Sequence, residues 1–332
     1  MNAREMAEKN MALKYAVGSH LYGTNTPTSD RDYSGVFMPD ENMLFGFERA
    51  DEVDLSVKSK REDGKNDENA VDLVLYEVRK FVRLALDNNP NVLEQLFVKE
   101  VEFMNYWGQE LLNHAHLFPH KGLKQKFLGY AFSQKHKMVI RTDNYHSLEN
   151  ANEWLDEYMH GNGKYSNEEM VQRGKQLLVE LLPKQLPFMS VKGDNVLVGD
   201  LHFQRHFMLR KVKKMIAERL SKATNRKDLL TSHGYDTKFA SHLVRLMLEG
   251  KELLATGRLQ FPLRERQLVL DVKLGKYKMK EVLDMAEDFE KQVEDGVETS
   301  KLPSKPRYDE VQELVKRLLR DWVDVEYPMN ED

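Results

Sequence analysis

The stretch from Gly18 to Gly35, GSHLYGTNTPTSDRDYSG, constrains this chain more than any other. It opens with Gly18-Ser19 directly after the apolar run Tyr15-Ala16-Val17. It closes with Asp30 and Asp32 leading into Val36-Phe37-Met38. If Asp30 to Met38 is extended, the two carboxylates project side by side, because residues i and i+2 of a strand share a face. Like charges so placed repel, and burying them unpaired is costly unless one takes up a proton. A divalent cation removes the conflict: hard ions such as Mg2+ take carboxylate oxygens and keep positions for water and substrate phosphates. The Gly18-Ser19 turn supplies the complement. Glycine lets the backbone approach closely, and a helix starting there presents free N–H groups to a phosphate.

Length and composition set outer limits. At 332 residues the chain has room for about two domains of ~150 residues each. A hydrophobic fraction of 41% with 31% charged residues is that of a soluble globular protein. The formal net charge of −4 gives no global pull toward nucleic acid, so any such attraction must be local. The absence of cysteine excludes a disulfide scaffold, thiol catalysis and Cys-ligated zinc. Met1 to Asn10 is charged and does not read as a secretory signal, and no run approaches the ~20 apolar residues of a membrane span. A cytoplasmic protein with no membrane partner is expected.

Along the chain, residues 1–10 read as a short helix, and Met11 to Val17 and Asp30 to Met38 as strands, the second ended by Pro39-Asp40. Glu48 to Val57 alternates weakly. Lys58 to Asn69 is a charged loop too poor in apolar residues to pack. Ala70 to Leu75 reads as a strand. The period then changes: Val78, Phe81, Val82, Ala85 and Leu86 fall at helical spacing, up to the stop at Asn89-Pro90, and a further helix follows. Beyond about residue 100 the pattern is mainly helical, over Leu111 to Phe118, Phe127 to Val139, Glu149 to Met159 and Glu168 to Leu182. A weak strand pair surrounds Gly193-Asp194-Asn195. His202 to Leu230 is a basic helix or helix pair. Lys238 to Leu254, Lys280 to Glu294 and Tyr308 to Val323 close the chain. The expected class is α+β: a mixed sheet flanked by helices in a catalytic domain at 1–110, then a mainly helical domain at 111–332.

Gly-Ser, a spacer, then Ser-Asp-x-Asp entering a strand resembles the nucleotidyltransferase motif of the DNA polymerase beta superfamily. The longer pattern is Gly18-Ser19, Tyr22-Gly23-Thr24, Ser29-Asp30-Arg31-Asp32 and Gly35-Val36. It resembles the branch linked to RNA repair that occurs in bacteria and large tailed bacteriophages. Asn89-Pro90 with Glu94, and Tyr235-Asp236-Thr237-Lys238 with His242 and Arg245, are similar to later parts of that branch. The resemblance implies a third metal-binding carboxylate on a later strand, best matched by Asp72. Asp63 and Asp67 are alternatives within the polar loop.

The resemblance further implies transfer of a nucleoside monophosphate from a nucleoside triphosphate to a hydroxyl, with release of pyrophosphate. In such chemistry the protein mostly positions groups and neutralises charge. Asp30 and Asp32 would bridge two Mg2+ (or Mn2+) ions ~4 Å apart, with Asp72 joining them on the ion facing the acceptor. Gly18 and Ser19 would hold the triphosphate. Ser29 either touches nucleotide or caps the turn that sets the carboxylates.

Lys238, His242 and Arg245 share a helix face at i, i+4 and i+7, either as a cationic cluster over the nucleotide or as a solvated polar face. The basic run that includes Arg205, Arg210, Lys211 and Lys214 would hold an RNA backbone, or be balanced by acidic neighbours such as Glu287 to Glu298. The expected acceptor is an RNA 3′ end, tRNA-like, in repair. Nucleotidylation of a protein hydroxyl and a non-catalytic nucleotide- or RNA-binding module are the alternatives.

Overall fold

The computed structural model of the protein describes residues 2–27, 29–59, 70–222 and 232–326. The chain divides into two compact units. One is Met1–Phe132 with Ser241–Asp271 and Asp284–Asp332; the other is Ser133–Ala240 with Val272–Leu283.

The first unit starts with helix α1 (Ala3–Lys9), set by a capping box in which Asn2 and Glu5 exchange side-chain to backbone bonds. Strand β1 (Met11–Val17) runs into the single-turn helix α2 (Gly18–Tyr22). Strand β2 (Asp32–Phe37) follows, buried from Ser34 onward. Asp40 then caps α3 (Glu41–Phe45), accepting from Met43 N at 3.0 Å, so Pro39-Asp40 both ends the strand and starts a helix. Strands β3 (Glu52–Asp54) and β4 (Asp72–Glu77) come next. Glu77 caps α4 (Val78–Leu86) through Arg79 N and Lys80 N. Asn89 caps α5 (Pro90–Leu93), with Pro90 where its missing N–H costs nothing. A 3-10 turn, Glu94–Phe97, strand β5 (Phe103–Met104) and α6 (Tyr106–Asn113) complete this part.

The strands form a five-stranded mixed sheet in the order β3-β4-β2-β1-β5. β2 and β4 are parallel, and the other neighbours are antiparallel. Met6, Phe37, Met43, Val53, Leu55, Leu73 and Leu75 pack on one face as a core. Gly35 is required here: a Cβ at this position would lie 2.0 Å from Leu13 O of the neighbouring strand.

Downstream lie α7 (Leu123–His160), α8 (Asn167–Lys175), strands β6 (Ser190–Lys192), β7 (Asn195–Val198) and β8 (Leu201–Gln204), and α9 (Leu209–Lys222). Helices α10 (Thr237–Thr256), α11 (Arg266–Lys273), α12 (Met279–Thr299) and α13 (Tyr308–Glu326) follow. β6, β7 and β8 make an antiparallel three-stranded sheet. Tyr145, Leu155, Val196, Phe203, Val212 and Ile216 are buried in the core of the second unit. The α+β reading holds, with a sheet flanked by helices in the N-terminal region and a mostly helical remainder.

Several boundaries differ from the sequence expectation. The two helices expected at 127–139 and 149–159 are one, because Arg141 to Ser147 holds neither Gly nor Pro and Thr142 bonds back to Met138 O at 2.8 Å. The helix expected to run to Leu182 stops at Lys175. A separate 3-10 turn, Leu178–Lys184, carries Pro183 inside it. The basic stretch starts as strand β8 and becomes helical only at Leu209. Arg226 and Lys227, like Asp63 and Asp67 and most of the 58–69 loop, lie outside the described residues.

The contact division also departs from the boundary expected at residue 110. The last helix, α13, packs against α4 and α6, and Trp322 donates to Pro39 O at 2.7 Å while meeting Trp107 edge-on at 4.7 Å. No helix of the described residues is long and apolar enough to cross a membrane.

Candidate active site

The register of three strands brings the acidic motif together. Val17, the last residue of β1, pairs with Asp32, the first of β2, and Asp32 pairs in parallel with Asp72, the first of β4. Partners in adjacent strands project to the same face, with strands ~4.8 Å apart. Asp32 and Asp72 therefore stand side by side at the start of their strands. Asp32 is half-buried and Asp72 exposed.

Gly18 lies against Asp32. Its φ of +64° is the left-handed conformation that favours glycine, and a Cβ there would sit 3.5 Å from Asp32 Oδ2. Val17, the residue capping α2, contributes no side-chain hydrogen bond. Ser19 is half-buried in that turn.

Asp30 is placed differently from the expectation. β2 begins at Asp32, so Asp30 precedes the strand and is exposed, outside the paired ladder. Among the described residues no three His, Asp or Glu side chains converge as a ready metal-binding group. Ser29 is committed to its own turn: its hydroxyl accepts from Thr26 N at 2.8 Å and lies 3.1 Å from Thr26 Oγ1.

Behind the motif is a buried polar network. Tyr22, which ends α2, donates to Glu94 Oε1 at 2.8 Å. Arg245 Nη1 donates to Glu94 Oε2 at 2.7 Å and to both Glu249 oxygens at 2.9 Å, and its guanidinium lies 4.3 Å from the Tyr22 ring centre. All four side chains are buried. Burial raises Glu94 and Tyr22 above their ordinary ranges, and it pushes Glu249 up to about 8 although Arg245 pulls the other way. Arg245 stays charged because Glu249, Tyr22 and Glu94 outweigh its own desolvation. One residue on from Glu94, Gln95 accepts from Tyr15 and, at 3.2 Å, from Ser34, two positions along β2 from Asp32.

This overturns one expectation: Arg245 is buried and not part of an exposed face with Lys238 and His242. Lys238 is exposed and His242 half-buried on α10. Gln95 and Glu249 were missed. The signal for Glu249 was present: Arg245 and Glu249 are opposite charges at i and i+4 within the apolar run Leu243 to Leu253.

Three residues of the basic run have acidic partners within their own unit. Lys213 pairs with Asp156, Arg219 with Asp200 at 2.6 Å, and Lys214 with Glu218 at 3.9 Å. Arg205 lies beyond β8 and donates to Gly193 O at 2.8 Å, fastening the hairpin tip. Arg210, Lys211 and Lys214 are exposed on α9, with Lys211 Nζ 3.6 Å from the Phe207 ring centre.

A mixed sheet with two acidic residues at adjacent strand starts beside a Gly-Ser turn is consistent with a polymerase-beta-like fold. Residues 3–160 match the model of the RlaP family, described as the RNA repair pathway DNA polymerase beta family. The chain is also 26% identical over 307 residues to an uncharacterized 38.9 kDa protein of Enterobacteria phage T4 from the nrdC–mobD intergenic region. That match covers 85% of this chain and 88% of the phage protein. No solved structure matches the chain.

Proposed function

We propose that the protein is a metal-dependent nucleotidyltransferase that moves a nucleoside monophosphate from a nucleoside triphosphate to the 3′ hydroxyl of an RNA. The observation that carries this reading is the parallel pairing of Asp32 with Asp72 next to the Cβ-less backbone of Gly18. These donors suit magnesium: they are hard oxygens, two of them in register and a third, Asp30, two residues upstream, and Mg2+ keeps waters in the rest of its shell. Magnesium held there would neutralise the triphosphate and make the attacking hydroxyl more acidic.

The chain's own groups then have separate tasks. Gly18 leaves room for a phosphate near Asp32, and Ser19 adds a hydroxyl donor beside it. Asp72, the more exposed carboxylate, faces the acceptor. Tyr22, Glu94 and Arg245 hold the end of α2 and so fix the motif loop. Lys238 and His242 are retained as candidate nucleotide contacts. Arg210, Lys211 and Lys214 offer an exposed cationic face for an RNA backbone, while Arg205 is occupied in the hairpin tip. The family's description, an RNA repair pathway, favours RNA over a protein hydroxyl as acceptor.

The acceptor is tested by incubating the protein with labelled ATP or CTP, Mg2+ and either tRNA or total protein. Label in the RNA is expected. Label confined to protein bands would replace the RNA acceptor with a protein hydroxyl. No label in any mixture would leave only a binding module.

A further inference from the structure

Helices α8 and α9 leave an open groove of about 620 Å3 between them, wholly within the second unit. Each helix gives it one face. Asn167, Met170, Val171 and Gly174 of α8 fall at i, i+3, i+4 and i+7. Arg210, Lys213, Lys214 and Ala217 of α9 repeat that spacing. Seven steps of about 1.5 Å make each wall ~10 Å long. Met159, one residue before the end of α7, is buried and closes the bottom.

The two walls differ in kind. The α8 wall is apolar at Met170 and Val171, and Val171 is 53% exposed. The α9 wall is cationic. Lys213 is paired with Asp156, but Lys214 reaches only Glu218, at 3.9 Å, and Arg210 makes no ion pair among the described residues. No carboxylate is among the described residues that line the groove. The groove narrows where the helices meet: a Cβ on Gly174 would lie 3.6 Å from Arg210 Cβ and 3.9 Å from Met159 Sδ.

These features specify an occupant. Cations along one wall, with no opposite charge beside them, suit a chain of phosphates. An apolar wall across from them suits a flat apolar face carried next to each phosphate. A helix of a protein partner, about 10 Å across, would ride on the rims above the constriction at Gly174. A base is thin enough to enter. In duplex RNA the base faces are stacked on one another, so only an unpaired strand offers phosphates and free bases together.

We propose that this groove binds single-stranded RNA, with the sugar–phosphate chain along Arg210 and Lys214 and unpaired bases against Met170 and Val171. The inference rests on the reading of RNA as acceptor and deepens it by naming the form of RNA that the second unit takes. The apolar wall is aliphatic, so the bases are held by burial of their faces and not by ring stacking.

The test uses the full chain with a labelled, unstructured RNA oligonucleotide and with the same strand annealed to its complement, in EDTA and without triphosphate. Fluorescence anisotropy is read over a range of salt for the native chain, for Arg210→Gln combined with Lys214→Gln, and for Val171→Ser. Circular dichroism melts establish that the variants are folded. The single strand is expected to bind at least tenfold more tightly than the duplex. The double variant should lower the slope of log affinity against log salt by ~1.4, since each phosphate contact on a single strand contributes ~0.7. Val171→Ser should weaken single-strand binding at least threefold and leave the slope unchanged. Duplex bound as tightly as single strand, no RNA bound, or native affinity in either folded variant would overturn the proposal. So would an amphipathic peptide of Leu and Glu that binds the groove in preference to RNA, which would assign it to a protein helix. No arm contains metal or triphosphate or alters Asp32 or Asp72. Label transfer to RNA alongside unchanged binding in the groove variants would therefore sink this inference and leave the transfer reading standing.

Discussion

Gly18 and Gly35 are both glycines of the motif, yet they are required for different reasons, and substitution separates them. At Gly35 an added methyl group meets Leu13 O at 2.0 Å, and the β1–β2 backbones must separate to admit it. Gly35→Ala is expected to cost ~3 kcal/mol or more in denaturant unfolding, at the upper end of overpacking effects. At Gly18 there is space, since the nearest atom is at 3.5 Å, but the φ of +64° charges an alanine ~1 kcal/mol or somewhat more. Gly18→Ala should therefore fold with a modest loss of midpoint yet lose nucleotidyl transfer, because its methyl group occupies the space next to Asp32. Equal stability losses in the two variants would refute this division. Glycine spacing and the Asp-x-Asp pattern were legible in the sequence because they are local. The pairing of Asp72 with Asp32 was legible only as strand context. The placement of Asp30 outside β2 was not, since nothing in Ser29-Asp30-Arg31 marks where pairing begins.

At the scale of elements, α10 shows where pattern reading fails. Lys238, His242 and Arg245 fall on one face by spacing, and a helix with one apolar stripe would leave that face in water. From Leu243 to Gly250, however, α10 is buried throughout, so Arg245 has carboxylates for solvent. Replacing it with methionine leaves the buried Glu94 without its cation and Glu249 without its donor, and is expected to cost ~3–5 kcal/mol by denaturant titration. A loss under 1 kcal/mol would mean the network is not held by charge.

The same cluster predicts a pH dependence. Folded Glu249 titrates at about 8, whereas an unfolded glutamate titrates at ~4.3. Between those values the native chain holds a proton that the unfolded chain has released. Stability from this group is therefore present at low pH and is lost as pH rises from about 5 to about 8, by at most ~1.4 kcal/mol per pH unit. Tm should fall across that range in the native chain and fall less steeply in Glu249→Gln. Parallel slopes would assign the dependence to other groups.

For the whole molecule, the unit that carries the acidic pair is assembled from three separated parts of the chain. Its N-terminal strands need α13, whose Trp322 is buried and bonded to Pro39 O, and α10, whose Arg245 neutralises Glu94. A fragment of residues 1–110, the domain suggested by the sequence, is expected not to unfold cooperatively in a thermal melt; a sharp two-state transition for it would contradict this. The α+β class was legible from local periodicity. The return of α13 to the sheet was not, because nothing local in Tyr308 to Val323 records which distant surface its apolar stripe covers.

The central claim is that Asp32 and Asp72 together form the reaction centre beside Gly18. It is tested most directly by the rate of label transfer from a nucleoside triphosphate in the presence of Mg2+, for the native chain, Asp32→Asn and Asp72→Asn, with melts to show all three are folded. The account predicts transfer by the native chain and a loss of at least ~1000-fold in each variant, the scale of removing a principal electrostatic stabiliser. Full turnover by either folded variant would contradict it.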